Sequence, residues 1–261
     1  MMTFQWPGES IMTTTFLKWG ARGLLGAVAA AAVFTAAPAE AQIMRVGSST
    51  DSRHAIGFHI GYFSLKGDDG RDEEEDVIFR NKDSLLFDTK DFNGLSLGAE
   101  WLVGITDNLE LGAGVGFYQR SVPSIYARLG DSDGSEIEQD LKLRQVPISA
   151  TVRFLPLGRN NGVQPYVGAG IGVINWRYTE TGEFVDFNDE VFRANFTAKG
   201  NEVGPVILGG LRFPVSDVWL VGGEVRWHSA KGETGGIDEG FLGDSIDLGG
   251  WTASFTAHFR F

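Results

Sequence analysis

A chain of 261 residues with no cysteine and a formal net charge of −12 has neither a disulfide framework nor a thiolate metal site, and its acidic balance speaks against nucleic acid as a partner. Glycine is abundant at 36 residues, and aromatics are too, with 19 Phe and 7 Trp. Packing, hydrogen-bond ladders or a membrane must therefore supply the stability.

The N-terminal stretch "FLKWGARGLLGAVAAAAVFTAAPAEAQ" carries Lys18 and Arg22, an apolar run from Leu24 to about Ala37, and then Ala39-Glu40-Ala41. That is the pattern of a secretory signal peptide. The run falls short of the roughly 20 apolar residues that a membrane-spanning helix needs, so cleavage after Ala41 is expected, and Met12 competes with Met1 as the start. The expected organisation is a signal peptide over 1–41, a periplasmic tail over 42–54 and one domain over 55–261.

Eight segments of that domain alternate apolar residues with small or polar ones, the period of a strand. The first, 55–63, sets Ile56, Phe58, Ile60 and Tyr62 against Gly57, His59 and Gly61; the second, 95–103, sets Leu97, Ala99, Trp101 and Val103 against Gly98 and Glu100. The third, 109–120, has Leu111, Val115 and Phe117 opposite Glu110, Tyr118 and Arg120, and the fourth, 146–154, has Ile148, Val152 and Phe154 opposite Ser149, Thr151 and Arg153. The fifth (165–176), sixth (206–213) and seventh (219–228) continue the pattern, with Arg212, Glu224, Arg226 and His228 on the polar side. The eighth, 250–261, places Trp251, Phe255, Phe259 and Phe261 opposite Thr256, His258 and Arg260.

Two of these segments contain Gly at every second position, "LGAGVGF" (111–117) and "VGAGIGV" (167–173). A dinucleotide fingerprint needs Gly-x-Gly-x-x-Gly between a strand and a helix. The strict period of two instead puts Gly112, Gly114 and Gly116 on one strand face, and Gly168, Gly170 and Gly172 on one face of another.

Long polar connections (64–94, 121–145, 177–205, 229–249) alternate with short ones (105–108, 155–164, 214–217). Neighbouring strands therefore pair up and down, with every long connection at one end. Strands near the roughly 9–11 residues that cross a bilayer at a tilt, long outer loops and short periplasmic turns describe an all-β, eight-stranded antiparallel up-and-down transmembrane β-barrel with both termini in the periplasm. A soluble sandwich would bury the apolar face, and it gives no reason for Trp101, Phe154, Phe213, Trp219 and Phe261 to sit at strand ends.

With its signal peptide, eight alternating strands, "PYVGAGIGV" and a final strand ending Phe-Arg-Phe, the chain resembles the small eight-stranded outer-membrane proteins of the OmpA, OmpX and OmpW kind. The resemblance implies localisation in the bacterial outer membrane. It also implies that the barrel-assembly machinery reads the last strand, through Phe255, Phe259 and Phe261. Because the barrel runs to the end of the sequence, the peptidoglycan-binding C-terminal domain of the OmpA branch is not expected.

The interior of eight strands is just wide enough for side chains to fill it, so the inward residues decide between a plug and a pore. The inward charges are expected to form a lumen network in which Glu100, Glu110 and Glu224 bridge Arg153, Arg212, Arg226 or Arg260, since a confined charge is tolerable only when paired. The two glycine runs flank the fourth strand and offer space for Arg153. That space is either filled by side chains or left hydrated as a narrow small-solute channel.

A lipid A-modifying enzyme is the other alternative, resting on His228 beside Ser229, but adjacent strand residues point to opposite faces. No catalytic residue, cofactor or metal ligand is therefore assigned. The acidic loops "KGDDGRDEEED" (66–76) and "GDSDGSEIEQD" (130–140) lack a calcium-loop spacing and are read as solvated, with their carboxylates available to divalent ions that bridge lipopolysaccharide phosphates. Segment 76–87 reads as strand, turn and strand, and 182–196 as an extension of the sheet beyond the membrane or a surface for an extracellular ligand. The expected partners are outer-membrane lipid and lipopolysaccharide, the assembly machinery and a loop ligand, and the expected role is structural or interactive.

Overall fold

The alternating segments become strands β1 (His54–Leu65), β2 (Gly94–Gly104), β3 (Leu109–Gly130), β4 (Glu136–Phe154), β5 (Gln164–Val185), β6 (Val191–Pro214) and β7 (Trp219–His228), a small hairpin of β8 (Lys231–Glu233) and β9 (Ser245–Asp247), and β10 (Gly250–Arg260). All but β8 and β9 close into an antiparallel ring in the order β1-β10-β7-β6-β5-β4-β3-β2. This computed structural model describes residues 53–130, 134–186, 188 and 190–261. The expected signal peptide and nearly all of the expected periplasmic tail lie outside the described residues.

Over the lower half of the ring the apolar face points outward. Phe255 is 80% exposed and Ile171 65% exposed, while Arg153 opposite the lumen axis is 0% exposed. Such an inside-out arrangement suits a lipid surround and excludes the sandwich, which would bury Phe255. Aromatic rings mark both rims of the band. At the lower rim His54 stacks on Trp101 and Phe261, and Trp219 lies against Phe259; at the upper rim Trp227 pairs with Trp251. The ring closes where Phe261 N donates to His54 O at 3.0 Å.

Strands β3, β5 and β6 run for 22, 22 and 24 residues, about twice the length that crosses a bilayer. Most of 121–145 and 177–205, expected as loops, is therefore continuous ladder. Register holds from Tyr118↔Gln145 to Ile125↔Glu138 and from Asn175↔Asn201 to Val185↔Val191. The reason is an inversion of the alternation. Below the boundary the outward residues of β5 are Val167, Ala169, Ile171 and Val173; above it they are Asn175, Arg177, Thr179 and Thr181, and the apolar residues Ile174, Trp176 and Tyr178 are the inward ones. The period of two persists while the apolar side changes from lipid-facing to lumen-facing.

Those inward residues form the main apolar core, in the upper part of the barrel. Tyr118, Val122, Leu141, Leu143, Ile174, Trp176 and Tyr178 meet Val77, Ile78, Phe92, Phe241, Ile246 and Leu248 from the loops between β1 and β2 and between β7 and β10. The expected strand-turn-strand over 76–87 is instead a short helix α1 (Val77–Asn81), whose N-cap Asp76 accepts a hydrogen bond from Phe79 N at 3.0 Å. Adjacent Val77 and Ile78 are both fully buried in this cap, and a strand would have put one of them on the opposite face. The hairpin tip near 182–196 does extend the sheet, with residues 187 and 189 outside the described set. Among the described residues no helix is long and apolar enough to cross a membrane.

Candidate functional site

The inward face of the lower barrel assembles ionisable groups from six strands. Arg153 on β4 donates from Nη1 to Glu100 Oε1 at 3.0 Å and from Nη2 to Glu100 Oε2, and its Nη2 lies 3.3 Å from Glu224 Oε2. Arg226 on β7 donates from Nε to Glu224 Oε1 at 3.0 Å and from Nη2 to Glu100 Oε2 at 3.3 Å. His258 on β10 places Nε2 2.9 Å from Glu100 Oε1. One step toward the short turns, Arg212 Nη2 donates to Glu110 Oε2 at 2.7 Å. Three carboxylates thus face three guanidinium groups, which is the pairing that burial demands.

Tyr166 joins the two levels. The guanidinium carbons of Arg153 and Arg212 lie over its ring, 5.1 and 4.9 Å from the centroid, and its hydroxyl donates to Glu224 Oε2 at 3.0 Å. Neither Tyr166 nor His258 belongs to the ion-pair set expected from the sequence. Their inward parity on β5 and β10 was the available signal. Arg260, expected to bridge a glutamate, does not: its Nη2 donates to Arg159 O and Gln164 Oε1, both at 2.9 Å. Glu110, the acid near that level, is engaged by Arg212, and Arg260 sits at the strand end within reach of the 155–164 turn.

The glycine runs are the space this layer occupies. A Cβ at Gly168 would come within 3.0 Å of Arg153 Cγ and 2.7 Å of Val152 O; one at Gly112 would meet Thr151 Oγ1 at 2.8 Å, and one at Gly114 would meet Glu100 Cβ at 3.4 Å. Gly116 faces Pro147, Gly172 faces Val206 Cγ2, and Gly170 lies against Ala150 O. Above the layer a cavity of about 40 Å³, lined by His59, Ser149, Arg226 and Ser254 below and Phe63, Tyr118 and His228 above, has room for a few waters.

The outer cap is pinned by polar groups of its own. Arg71 Nη1 donates to Asp76 at 2.6 Å, Arg71 Nη2 donates to Asp247 O at 2.7 Å, and Asp76 Oδ2 accepts from Asp247 N at 2.7 Å. One buried pair therefore joins the β1–β2 loop to the β7–β10 loop. Deeper in, Asn81 Nδ2 donates to Glu180 Oε1 at 2.6 Å and to Tyr178 Oη at 3.1 Å. Burial pushes the Glu180 carboxyl up to about 7, against the opposing pull of hydrogen bonds from Asn81 and Tyr178.

Several acids of the 66–76 loop are individually engaged: Asp68 with Lys82 at 2.5 Å, Glu75 with Lys231 at 2.7 Å and Asp76 with Arg71. Among the described residues no group of three or more His, Cys, Asp or Glu side chains could hold a metal ion, and residues 131–133 of the second acidic loop lie outside that set. His228 does not face a nucleophile; its Nε2 is 3.1 Å from Leu248 O and its ring stacks on Phe63 at 5.4 Å. Phe255, Phe259 and Phe261 all lie on the exposed outer face.

The family described as "Outer membrane protein beta-barrel domain" matches residues 26–259. Among solved structures, the chain is similar to the outer membrane protein OprG from Pseudomonas aeruginosa, at 11% identity over 80% of this chain and 96% of that one, with a TM-score of 0.45. It is similar also to Neisserial surface protein A, at 13% identity over 80% and 96% of the two chains and a TM-score of 0.42. A third is the E. coli outer membrane protein W, at 17% identity over 81% and 100% and a TM-score of 0.39. A comparison with curated proteins found no match.

Proposed function

We propose, for a chain that belongs to the outer-membrane β-barrel protein family and lies in the bacterial outer membrane, a non-enzymatic role in envelope structure and surface contact rather than solute transport. The observation that carries this reading is a lower lumen filled by buried, paired side chains beneath a projecting sheet. The Glu100–Arg153–Glu224–Arg226 layer leaves Arg153 and His258 0% exposed, and an apolar cap packs over it. A small-solute channel would need a wet path past both. Strands β3 to β6, meanwhile, continue as a four-stranded sheet well above the apolar band, which is a platform for contacts outside the cell.

His228, the base weighed for lipid A chemistry, is committed to a ring stack and a backbone carbonyl, which also supports the non-enzymatic reading. In a planar bilayer the full chain is expected to give no unitary current, and steady steps of current would sink the filled-lumen part. For the surface part, cells carrying the chain with 182–196 deleted are compared with cells carrying the full chain. Loss of adherence or cell-to-cell contact with intact detergent resistance is expected, and unchanged contact counts against it.

A further inference from the structure

The outward face of β4 is sorted by height. From the bilayer upward it reads Ile148 and Val146, then Arg144 and Lys142, then Asp140, Glu138 and Glu136. The basic pair sits just above the last apolar positions. Neighbouring strands add to it at the same register, since Arg144 lies directly opposite Arg177, and Arg177 directly opposite Lys199. Three cations therefore stand in one cross-strand row on β4, β5 and β6, with Lys142 one step above.

Like charges directly opposite one another on a sheet face are destabilising, and no carboxylate among the described residues pairs with these. Arg144, Arg177, Lys199 and Lys142 form no ion pair among the described residues. Arg144 Nη2 reaches only Asn175 Oδ1 at 3.3 Å, and its Nε is enclosed without a hydrogen-bond partner. Around the row are two open hollows of about 240 and 520 Å³, lined by these cations and by Asn175, Asn201, Thr179 and Thr197. Donors dominate that lining, on a chain whose net charge is −12. Farther from the membrane β4 turns acidic at Asp140 and Glu138, and Arg193 is paired with Glu183, so on this face the cations without an ion pair stand at the height where a lipid leaflet presents its head groups.

We propose that the Arg144–Arg177–Lys199 row binds the phosphate groups of a phosphorylated glycolipid in the outer leaflet, with the acyl chains lying along Val146, Ile148, Val173 and Val203 below it. Arginine suits this task because its fork of donors matches phosphate oxygens, and the lysine adds a point charge. The inference rests on the membrane placement and is independent of the filled lumen and of the hairpin tip.

The test uses the purified full chain in detergent and measures retention of diphosphorylated lipid A, with dephosphorylated lipid A and inorganic pyrophosphate as comparisons. Each basic residue near a charged lipid surface contributes about a fivefold factor, so Arg144→Gln/Arg177→Gln/Lys199→Gln is expected to weaken retention on the order of a hundredfold. Arg193→Gln, at the hairpin tip and paired with Glu183, is expected to change nothing. In lipid-free detergent the triple variant is expected to melt no lower than the parent, because it removes like-charge neighbours, whereas a structural role would lower its melting temperature. Should it fail to fold, Arg177→Gln alone decides, with a fivefold loss expected. Equal retention by parent and variant overturns the proposal. So does equal binding of the dephosphorylated lipid, an equal loss in Arg193→Gln, or full displacement by millimolar pyrophosphate, which would mark a free-anion site.

Discussion

Arg153 reaches Glu100 across an intervening strand. The two residues stand on β4 and β2, yet both terminal nitrogens of the guanidinium meet the two carboxylate oxygens. Between them β3 presents Gly112 opposite Thr151 and Gly114 opposite Ser149 and Glu100. The missing side chains of β3 are the corridor for the pair. Removing one partner leaves buried charge undercompensated, so Arg153→Met, which leaves Glu100 and Glu224 to share the single guanidinium of Arg226, is expected to cost about 3–5 kcal/mol. Urea unfolding in lipid vesicles measures it. Arg153→Met combined with Glu100→Gln is expected to cost less than the single change, and a larger loss in the double variant would show that the pair is not what the corridor serves.

The glycines should behave as space and not as turn formers. At Gly168 a Cβ would lie 3.0 Å from Arg153 Cγ, so Gly168→Val overpacks the lumen, with an expected cost of about 1–3 kcal/mol. The same change at Gly209, where the nearest atoms to an added Cβ are 3.6 and 3.8 Å away, is expected to be milder. Equal losses at the two positions would argue that strand propensity, not lumen space, sets the effect.

The barrel was legible in the sequence because period two survives in every strand and the short turns separate neighbours unambiguously. The lumen pairs were legible by parity: Glu100, Glu110, Arg153, Arg212, Glu224 and Arg226 all lie inward, in ion pairs. The exact partners were not, because tilt and corridor decide which strands a long side chain can cross. The upper barrel was missed for a physical reason. There the apolar side switches inward, as at Leu141, Leu143, Trp176 and Tyr178, and a segment whose outward residues turn polar beyond the switch reads as loop. The helix at Val77–Asn81 rests on burial against distant strands, which no local pattern in 76–87 reports.

The cap should come off without the barrel. Asp76 holds Arg71 and the backbone N–H of Asp247 at once, so Asp76→Ala removes the tie between two loops and leaves Arg71 buried without its carboxylate. The local cost is expected to be about 3–5 kcal/mol, confined to the cap. Limited proteolysis of the membrane-embedded protein is expected to cut within 66–93 in the variant and not in the parent, while the heat-modifiable gel mobility of the barrel stays the same. Loss of that mobility would mean that the cap and the barrel fold as one unit.

Cap docking should also depend on pH through Glu180. Its carboxyl is raised to about 7 when buried against Asn81 and Tyr178, whereas in an opened cap it returns to the ordinary range near 4–4.5. A folded value above the unfolded one means the folded state binds the proton more tightly. The favourable contribution is therefore fully present below about pH 4.5, declines as pH rises through 7, and is absent above, where ionised Glu180 is buried with no cation beside it among the described residues. Amide exchange in 77–92 is expected to be slower at pH 5 than at pH 8 once corrected for the intrinsic pH dependence of exchange, by a margin of a few kcal/mol at most. Glu180→Gln keeps the shape and cannot ionise, so it should hold the protection of pH 5 at both values. If protection in the parent were the same at both pH values, or if Glu180→Gln kept the pH difference, another group would be governing the cap.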